Sequence, residues 1–399
     1  MVQCLDRIIA SMDTGVDDAL ALAYLLGSAD ECELSGVIAS YGNVDANTAY
    51  ANTRAVLDLF GRADIPVFLG SEHPSWADAF IPDAGCAQFH GDDGLGNTWL
   101  AGSGALADGA GVPGDMSGDD MSVDVPDGVV SVGGYLAGDV HAHPALGSYP
   151  RVGRSRSVDR PQSATSTALV SGGTRRCSVD AADGIEYLIE QVREFGRDVT
   201  VLSTGPLTDV DAAITRAPDI ASKLRLVMMG GTLTQPGNCW DAVAETNIIQ
   251  DPEAANCVFH SGADITMVGL DVTHQCLLTR SAADRWRATG TKRGRFLADL
   301  ADFSIKANLE ADTALFSGGM PLHDPLAAAV ALDSSLVDCF DLALRAETNT
   351  GDFNGVRGRT TGDPVGLVNH SMPHVHVALG VDSGRFLDEF AERMAEVCR

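Results

Sequence analysis

The chain has 399 residues, 45% of them hydrophobic, enough for one large domain or two ordinary ones with a sizeable core. Its formal net charge is −28, with lysine only at Lys223, Lys292 and Lys306; this argues against non-specific nucleic-acid binding and against anionic membranes. No apolar run approaches the roughly 20 residues of a membrane span, and "MVQCLDRIIASMD" has no basic start followed by a long apolar stretch, so neither a membrane segment nor a signal peptide is expected.

Taken in chain order, "RIIASM" reads as a buried strand and "VDDALALAYLLGS" as a helix with aspartates at its positive end. "CELSGVIASYG" is strand-like, "NTAYANTRAVLDLFG" helical, and "IPVFLG" a short strand. This βαβαβ rhythm predicts a parallel sheet covered by helices. From about 102 to 176 the chain turns to Gly, Ala, Ser, Asp and Pro without periodicity, which reads as a long, largely disordered, low-complexity insertion. A solvated loop is the expectation there, an active-site lid the alternative. The rhythm then resumes with "DVTVLST", "KLRLVMMGG" and "DITMVGLDVT" as strands. "AADGIEYLIEQVREFG", "DPEAANCVFHSG", "RGRFLADLADFSIKANLEAD" and "HDPLAAAVALD" read as helices. The fold class is α/β, an open, mostly parallel, Rossmann-like sheet with helices on both faces. One domain spanning 1–399 with an interrupted connection is more economical than two. The nine cysteines are scattered and form no C-x-x-C pair, so reduced thiols in a cytoplasmic protein are expected rather than disulfides or structural zinc.

Polar clusters fall where strands end: "MDTGVDD", "SYGNVD", "FHGDDGLGN", "STGPLTD", "MMGGTLTQPGNCWDAVAETNII" and "PLHDP". In a parallel sheet such ends share one rim. Asp13, Asp17 and Asp18 repel one another unless a cation, protons or backbone donors compensate. Clustered carboxylates suit calcium, a hard cation taking oxygen ligands, and helix capping is the plainer alternative. His323 and Asp324 stand side by side at a helix start, so one can face a metal and the other a substrate. A histidine near neutral pKa is a natural proton donor. Glu245 and Asn247, two apart in extended chain, would face one side, with Asn238 upstream and Asn43 at another strand end. A carboxylate and amides suit a polyhydroxylated sugar.

With these residues assembled, the sequence resembles the inosine-uridine-preferring nucleoside hydrolase family. The family's opening motif D-x-D-P-G-x-D-D stands here as "SMDTGVDD". "YGNV", "HGDDGLG", "TGPLTD", "MMGG", "AETNIIQDPEAA", "VGLDVTHQ" and "LHDPLAAA" are similar to family landmarks and occur in family order. The resemblance implies a calcium-dependent enzyme that splits ribonucleosides into free base and ribose through an oxocarbenium-like transition state. It implies that Asp13, Asp18, the Thr204 carbonyl and Asp324 hold Ca2+, with Asp13 also accepting a proton from the attacking water. Asp17 and Asn247 would bind ribose hydroxyls, and Asn238 and Glu245 the 5′-hydroxyl end. Asn43 lies beside the water, Met229 lines the ribose pocket, and His323 serves the leaving base with His90 nearby. A homo-oligomer, dimer or tetramer, is also implied. Several positions depart from the pattern. Ser11 replaces the first aspartate, which leaves one carboxylate missing near the metal. Thr14 replaces the turn proline, Asp209 stands where "GPLTN" is usual, and Thr246 replaces a common aromatic. One extra residue separates Asn238 from Glu245, and "SIKANLEADTALFSGGM" lacks the usual tyrosines. These departures motivate two alternatives, a catalytically weakened nucleoside- or ribose-binding protein and a hydrolase of a modified riboside. His370, His374 and His376 read as structural.

Overall fold

The computed structural model describes residues 5–82, 84–98, 183–239, 243–350, 356–366 and 368–399. The insertion expected at about 102–176 lies outside them. In the first part of the chain, β1 (Asp6–Met12), α1 (Val16–Gly27), β2 (Cys32–Ala39), α2 (Ala46–Leu59), β3 (Val67–Leu69) and α3 (Ala84–His90) follow one another. After the insertion come α4 (Gly184–Phe195), β4 (Val199–Ser203), α5 (Thr208–Arg216), β5 (Arg225–Met229), α6 (Thr246–Gln250), α7 (Pro252–Phe259) and β6 (Asp264–Val268). Next are α8 (Leu270–Thr273), β7 (Leu277–Leu278), α9 (Arg280–Ala288), α10 (Lys292–Ala311), α11 (Thr313–Phe316), β8 (Met320–Pro321) and α12 (His323–Leu332). The chain closes with β9 (Val337–Leu342), β10 (Leu344–Ala346), β11 (Thr360–Gly362), β12 (Val375–Val381) and α13 (Ser383–Val397).

Eight strands form the central sheet in the order β3-β2-β1-β4-β5-β6-β12-β9. All neighbours are parallel except β9, which runs antiparallel to β12 at the edge. Elements from both sides of the insertion therefore build one sheet. The chain winds outward in one direction from β1 to β3 and in the other from β4 to β6. At such a switch the crossover loops part, and a crevice opens at the C-terminal ends of the two central strands. Here those strands are β1 and β4.

Alternation along β1 feeds two cores, because successive side chains in a strand point to opposite faces. Ile8, Ala10 and Met12 pack with α1, α2, α10, α12 and α13, whereas Ile9 packs with α4, α5 and α7. Ser11 thus shares the face of Ile9. The helix α1 is apolar nearly all round, with Leu20, Leu22, Tyr24 and Leu25 all buried. It has to be, since α12 and α13 pack against it as well as the sheet. Each such side chain contributes roughly 1.5–3 kcal/mol by leaving water, which fixes the first turn of α1, and its aspartates, against the crevice.

The segment "DITMVGLDVT" departs from expectation. The strand stops at Val268 and α8 takes Leu270–Thr273. Its apolar run is too short for periodicity to separate strand from helix. Asp271 there accepts from the backbone N–H groups of Leu233 and Thr234, so its carboxylate pins the loop after β5. Of the three late histidines, His376 lies in β12, and His370 and His374 precede it.

Candidate active site

The turn after β1 is shaped so that its aspartates point inward. The Asp18 carboxylate accepts from the N–H of Gly15 at 2.8 Å, closing the N-terminus of α1. It also accepts from the Thr204 hydroxyl at 2.6 Å and the Asn43 amide at 3.3 Å. Asp13 Oδ2 accepts from the Asn43 backbone N–H at 2.7 Å. Close approach explains two glycines here. A Cβ at Gly42 would collide with the Asp13 carboxylate, and one at Gly15 with the His90 ring.

Asp324 enters from the first turn of α12. Ligand oxygens of Asp17, Asp18 and Asp324 all lie within 4.8 Å of one another, with Asp13 beside the group. Four carboxylates are thus buried together, with Asp13 and Asp18 at 0% exposure, Asp324 at 3% and Asp17 at 8%. Two unit charges about 4 Å apart repel by roughly 4 kcal/mol at an effective dielectric of about 20. Burial first, then this mutual repulsion, pushes Asp13 and Asp324 well above the usual carboxylate range. Burial lifts Asp17 to about 6, and Asp18 is raised by burial and by Asp17. Asp13 Oδ1 and Asp17 Oδ1 are buried with no hydrogen-bond partner. Oxygen-only donors, crowded negative charge and orphaned oxygens are the chemistry a hard divalent cation satisfies. The residues present fit a metal.

The sugar-binding candidates gather on the β4–β5 side. Asn247 Nδ2 donates to the Thr204 carbonyl at 2.7 Å and to the Met229 carbonyl at 3.2 Å. "AETNII" is not extended, however. Glu245 is the N-cap of α6, accepting from the N–H groups of Asn247 and Ile248, and it also accepts from Gly231. A carboxylate followed by a helical pattern is itself a capping signal, and the expectation of two residues facing one side of a strand missed it. Asn238 Oδ1 accepts from the backbone N–H and hydroxyl of Thr246.

Two histidines complete the rim. His90 ends α3, a helix where a strand end was expected. Its Nδ1 accepts from the Val16 N–H at 3.2 Å and lies 3.7 Å from Asp17. His323 Nδ1 meets the Thr273 hydroxyl at 2.8 Å. Burial lowers His90 to about 4, and it pushes His323 well below its ordinary value with help from His274 and His90. Sequence reasoning expects a proton donor near neutrality at His323; its half-buried surroundings favour the uncharged imidazole.

Sequence reasoning also missed partners. The Thr204 hydroxyl holds Asp18, where only its carbonyl was considered. Thr273 orients His323, and the His274 ring lies 5.6 Å from His323 and edge-on to Phe316. The signal was present in "VTHQ", which carried no assigned role.

A parallel sheet with a buried carboxylate cluster at its switch point that could hold a metal, flanked by half-buried imidazoles, marks an α/β enzyme fold. Over residues 8–388 the chain matches the inosine-uridine preferring nucleoside hydrolase family, and it belongs to that family. It is 30% identical over 390 residues to the pyrimidine-specific ribonucleoside hydrolase RihA of Enterobacter sp. (strain 638), covering 98% of this chain and 97% of that one. Among solved structures it resembles a purine-preferring ribonucleoside hydrolase from Gardnerella vaginalis, at 34% identity and TM-score 0.73, covering 98% and 99% of the two chains. A plant nucleoside hydrolase, PpNRh1, aligns at 26% identity and TM-score 0.72, covering 98% of this chain and 99% of that one. The activity is ribonucleoside hydrolysis, and the family is metal-dependent.

Proposed function

We propose that the chain is a calcium-dependent N-ribohydrolase whose ion is held by Asp13, Asp18, Asp324 and the Thr204 carbonyl. The observation that carries this reading is the buried carboxylate cluster with partnerless oxygens on Asp13 and Asp17. When bound, such a cation supplies Lewis acidity and fixed positive charge. Asp13 is split in role: Oδ2 is fixed by the Asn43 amide, and Oδ1 is left to take the proton of the attacking water. The Asn43 side chain also reaches Asp18, so one residue holds two acids, Asp13 by its backbone N–H and Asp18 by its side-chain amide. Asp17 and Asn247 bind the ribose hydroxyls, and Met229 lines the sugar pocket. Asn238 and Glu245 shape the 5′-hydroxyl end. The surrounding carboxylates stabilise the positive charge that develops on the ribosyl ring as the glycosidic bond breaks.

His323 and His90 face the leaving base. As neutral rings they act by N–H donation to the departing base, with Thr273 setting the orientation of His323. The named relatives divide between pyrimidine-specific and purine-preferring enzymes, so the test must span both. Purified protein with calcium is given uridine, cytidine, inosine, adenosine and their 2′-deoxy forms, and free sugar is read. Ribose release is expected, with 2′-deoxyribosides slower by orders of magnitude because buried polar groups lose their partner. Equal rates on ribosides and 2′-deoxyribosides would dismiss the roles given to Asp17 and Asn247.

No helix among the described residues is long and apolar enough to cross a membrane. Free thiols at Cys32, Cys257, Cys276, Cys339 and Cys398 support a reducing, cytoplasmic setting. The acidic charge supports a small-molecule substrate without nucleic-acid partners. A homo-oligomeric state, dimer or tetramer, and a single domain interrupted at about 102–176 complete the reading.

A further inference from the structure

Behind the acidic cluster lies a fifth buried aspartate, Asp209, to which none of the roles above belongs. It sits in the first turn of α5 at 0% exposure, on the side of the sheet that Ser11 faces. Ser11 Oγ donates to Asp209 Oδ2 at 2.9 Å, and the Ser71 N–H donates to Oδ1 at 2.7 Å. The fit is close, since a Cβ on Gly70 would collide with this carboxylate. Both neighbours have onward connections into the site. The Ser11 carbonyl accepts from the Thr204 N–H at 2.9 Å, and the Ser71 carbonyl from the Tyr41 N–H at 3.1 Å. Tyr41 opens the turn whose Asn43 amide holds Asp13. Asp209 therefore ties the ends of β1 and β3 to the start of α5. Asp13 follows the end of β1, and Thr204 after β4 and Asn43 after β2 connect to the same ends through the Ser11 and Ser71 carbonyls.

We propose that Asp209 is a positioning residue for Asp13 and Thr204, and that it forms with Ser11 an exchanged pair. The carboxylate that the family motif places at position 11 enters here from α5. The motif letters are Asp at 11 and Asn at 209, whereas this chain has Ser and Asp; each combination holds one carboxylate. The carboxylate absent at Ser11 is thus supplied by α5 on the face to which Ser11 points. Hydrogen-bond complementarity couples the two positions. A carboxylate at 209 accepts from both Ser71 and Ser11. An amide at 209 accepts from Ser71 and donates toward position 11, which a carboxylate there can accept. Two carboxylates face each other with no proton between them, and that arrangement is the costly one.

This inference rests on the hydrolase reading, and calcium affinity, measured without substrate, tests it separately. Ser11→Asp is expected to lower kcat about tenfold or more at little change in KM, since small misplacements of reacting groups are costly. It is also expected to weaken the calcium Kd, read by calorimetry, by roughly fivefold or more, in line with coupling between contacting residues. The double variant Ser11→Asp/Asp209→Asn is expected to return both quantities to within about threefold of the parent. A single Ser11→Asp variant with parental kcat and Kd would overturn the proposal, as would a double variant no better than the single. Should Ser11→Asp not fold, Asp209→Ala decides: in folded protein it is expected to lower kcat and weaken calcium, and loss of thermal stability alone would make Asp209 merely structural. Failure of the parent protein to release ribose would sink the hydrolase reading while leaving the calcium arm of this test intact.

Discussion

Asp13 bears the heaviest demand of any single residue. Its Oδ1 has no partner and its Oδ2 is fixed, so Asp13→Asn removes the proton acceptor while leaving the Asn43 contact in place. The expected loss in kcat is about 10²–10⁴-fold, the usual worth of a positioned base. Steady-state ribose release measures it, and a rate within twofold of the parent would take the role from Asp13. Thr204→Val removes the hydroxyl that satisfies Asp18 in a fully buried place. Leaving that carboxylate oxygen unpartnered is expected to cost about 1–3 kcal/mol in a chemical denaturation midpoint. Thr273→Val frees the His323 ring. A lower kcat with KM nearly unchanged is expected there, since ring orientation serves the leaving base rather than sugar binding. At this scale the sequence was most legible where a residue's chemistry has one use. Asp13, Asp17, Asp18 and Asp324 converge as their acidity and their strand-end positions implied. What stayed hidden were hydroxyl donors such as Thr204 and Thr273, because a threonine near an acid has many bland uses in a sequence. Ser11 was read as a loss, since only the folded sheet brings it to Asp209, 198 residues away in sequence.

Among the elements, the long periodic ones were read with the right type. The helices α1, α7, α10 and α12 and the strands β1, β4 and β5 all fall where apolar spacing placed them. The errors are short segments. The α6 turn was taken as extended because five residues are too few to show a helical period. The helix α8 was absorbed into the preceding strand for the same reason. A test belongs here too. Leu20 on α1 is fully buried between the sheet and its covering helices. Leu20→Ala is expected to destabilise by about 2–5 kcal/mol, and to weaken metal binding as well, because the same helix carries Asp17 and Asp18 in its first turn. Unfolding midpoints and calcium titration of the folded variant would separate the two effects.

For the whole molecule, the decisive feature is that strands from before and after the insertion join in one sheet, meeting where β1 pairs with β4. The rhythm of the sequence foretold a parallel sheet, but not the strand order, which depends on packing between distant segments. That order gathers acids from residues 13, 17, 18 and 324 at one point. Their pKa values are raised, so their neutral forms are favoured in the fold. For a raised carboxylate the stabilising contribution is complete below the ordinary value and is lost as pH rises through the shifted one. Chelated protein is therefore expected to lose thermal stability as pH rises from about 5 to about 7.5, through the region near 6 where Asp17 titrates. Calcium, which competes with those protons, should raise Tm more at about pH 7.5 than at about pH 5. At roughly 100 times its Kd it would contribute about 2.7 kcal/mol. An equal rise at both pH values would contradict the cluster as the binding site.

The most direct measurement is ribose release from a preferred ribonucleoside before chelation, after exhaustive chelation, and after calcium is returned to the same sample. The expected result is activity that falls to background on chelation and recovers with calcium, with Asp18→Asn, which alters the proposed ion's cage, failing to recover. Undiminished release from the chelated enzyme would contradict a metal-assisted hydrolysis centred on Asp13, Asp18 and Asp324.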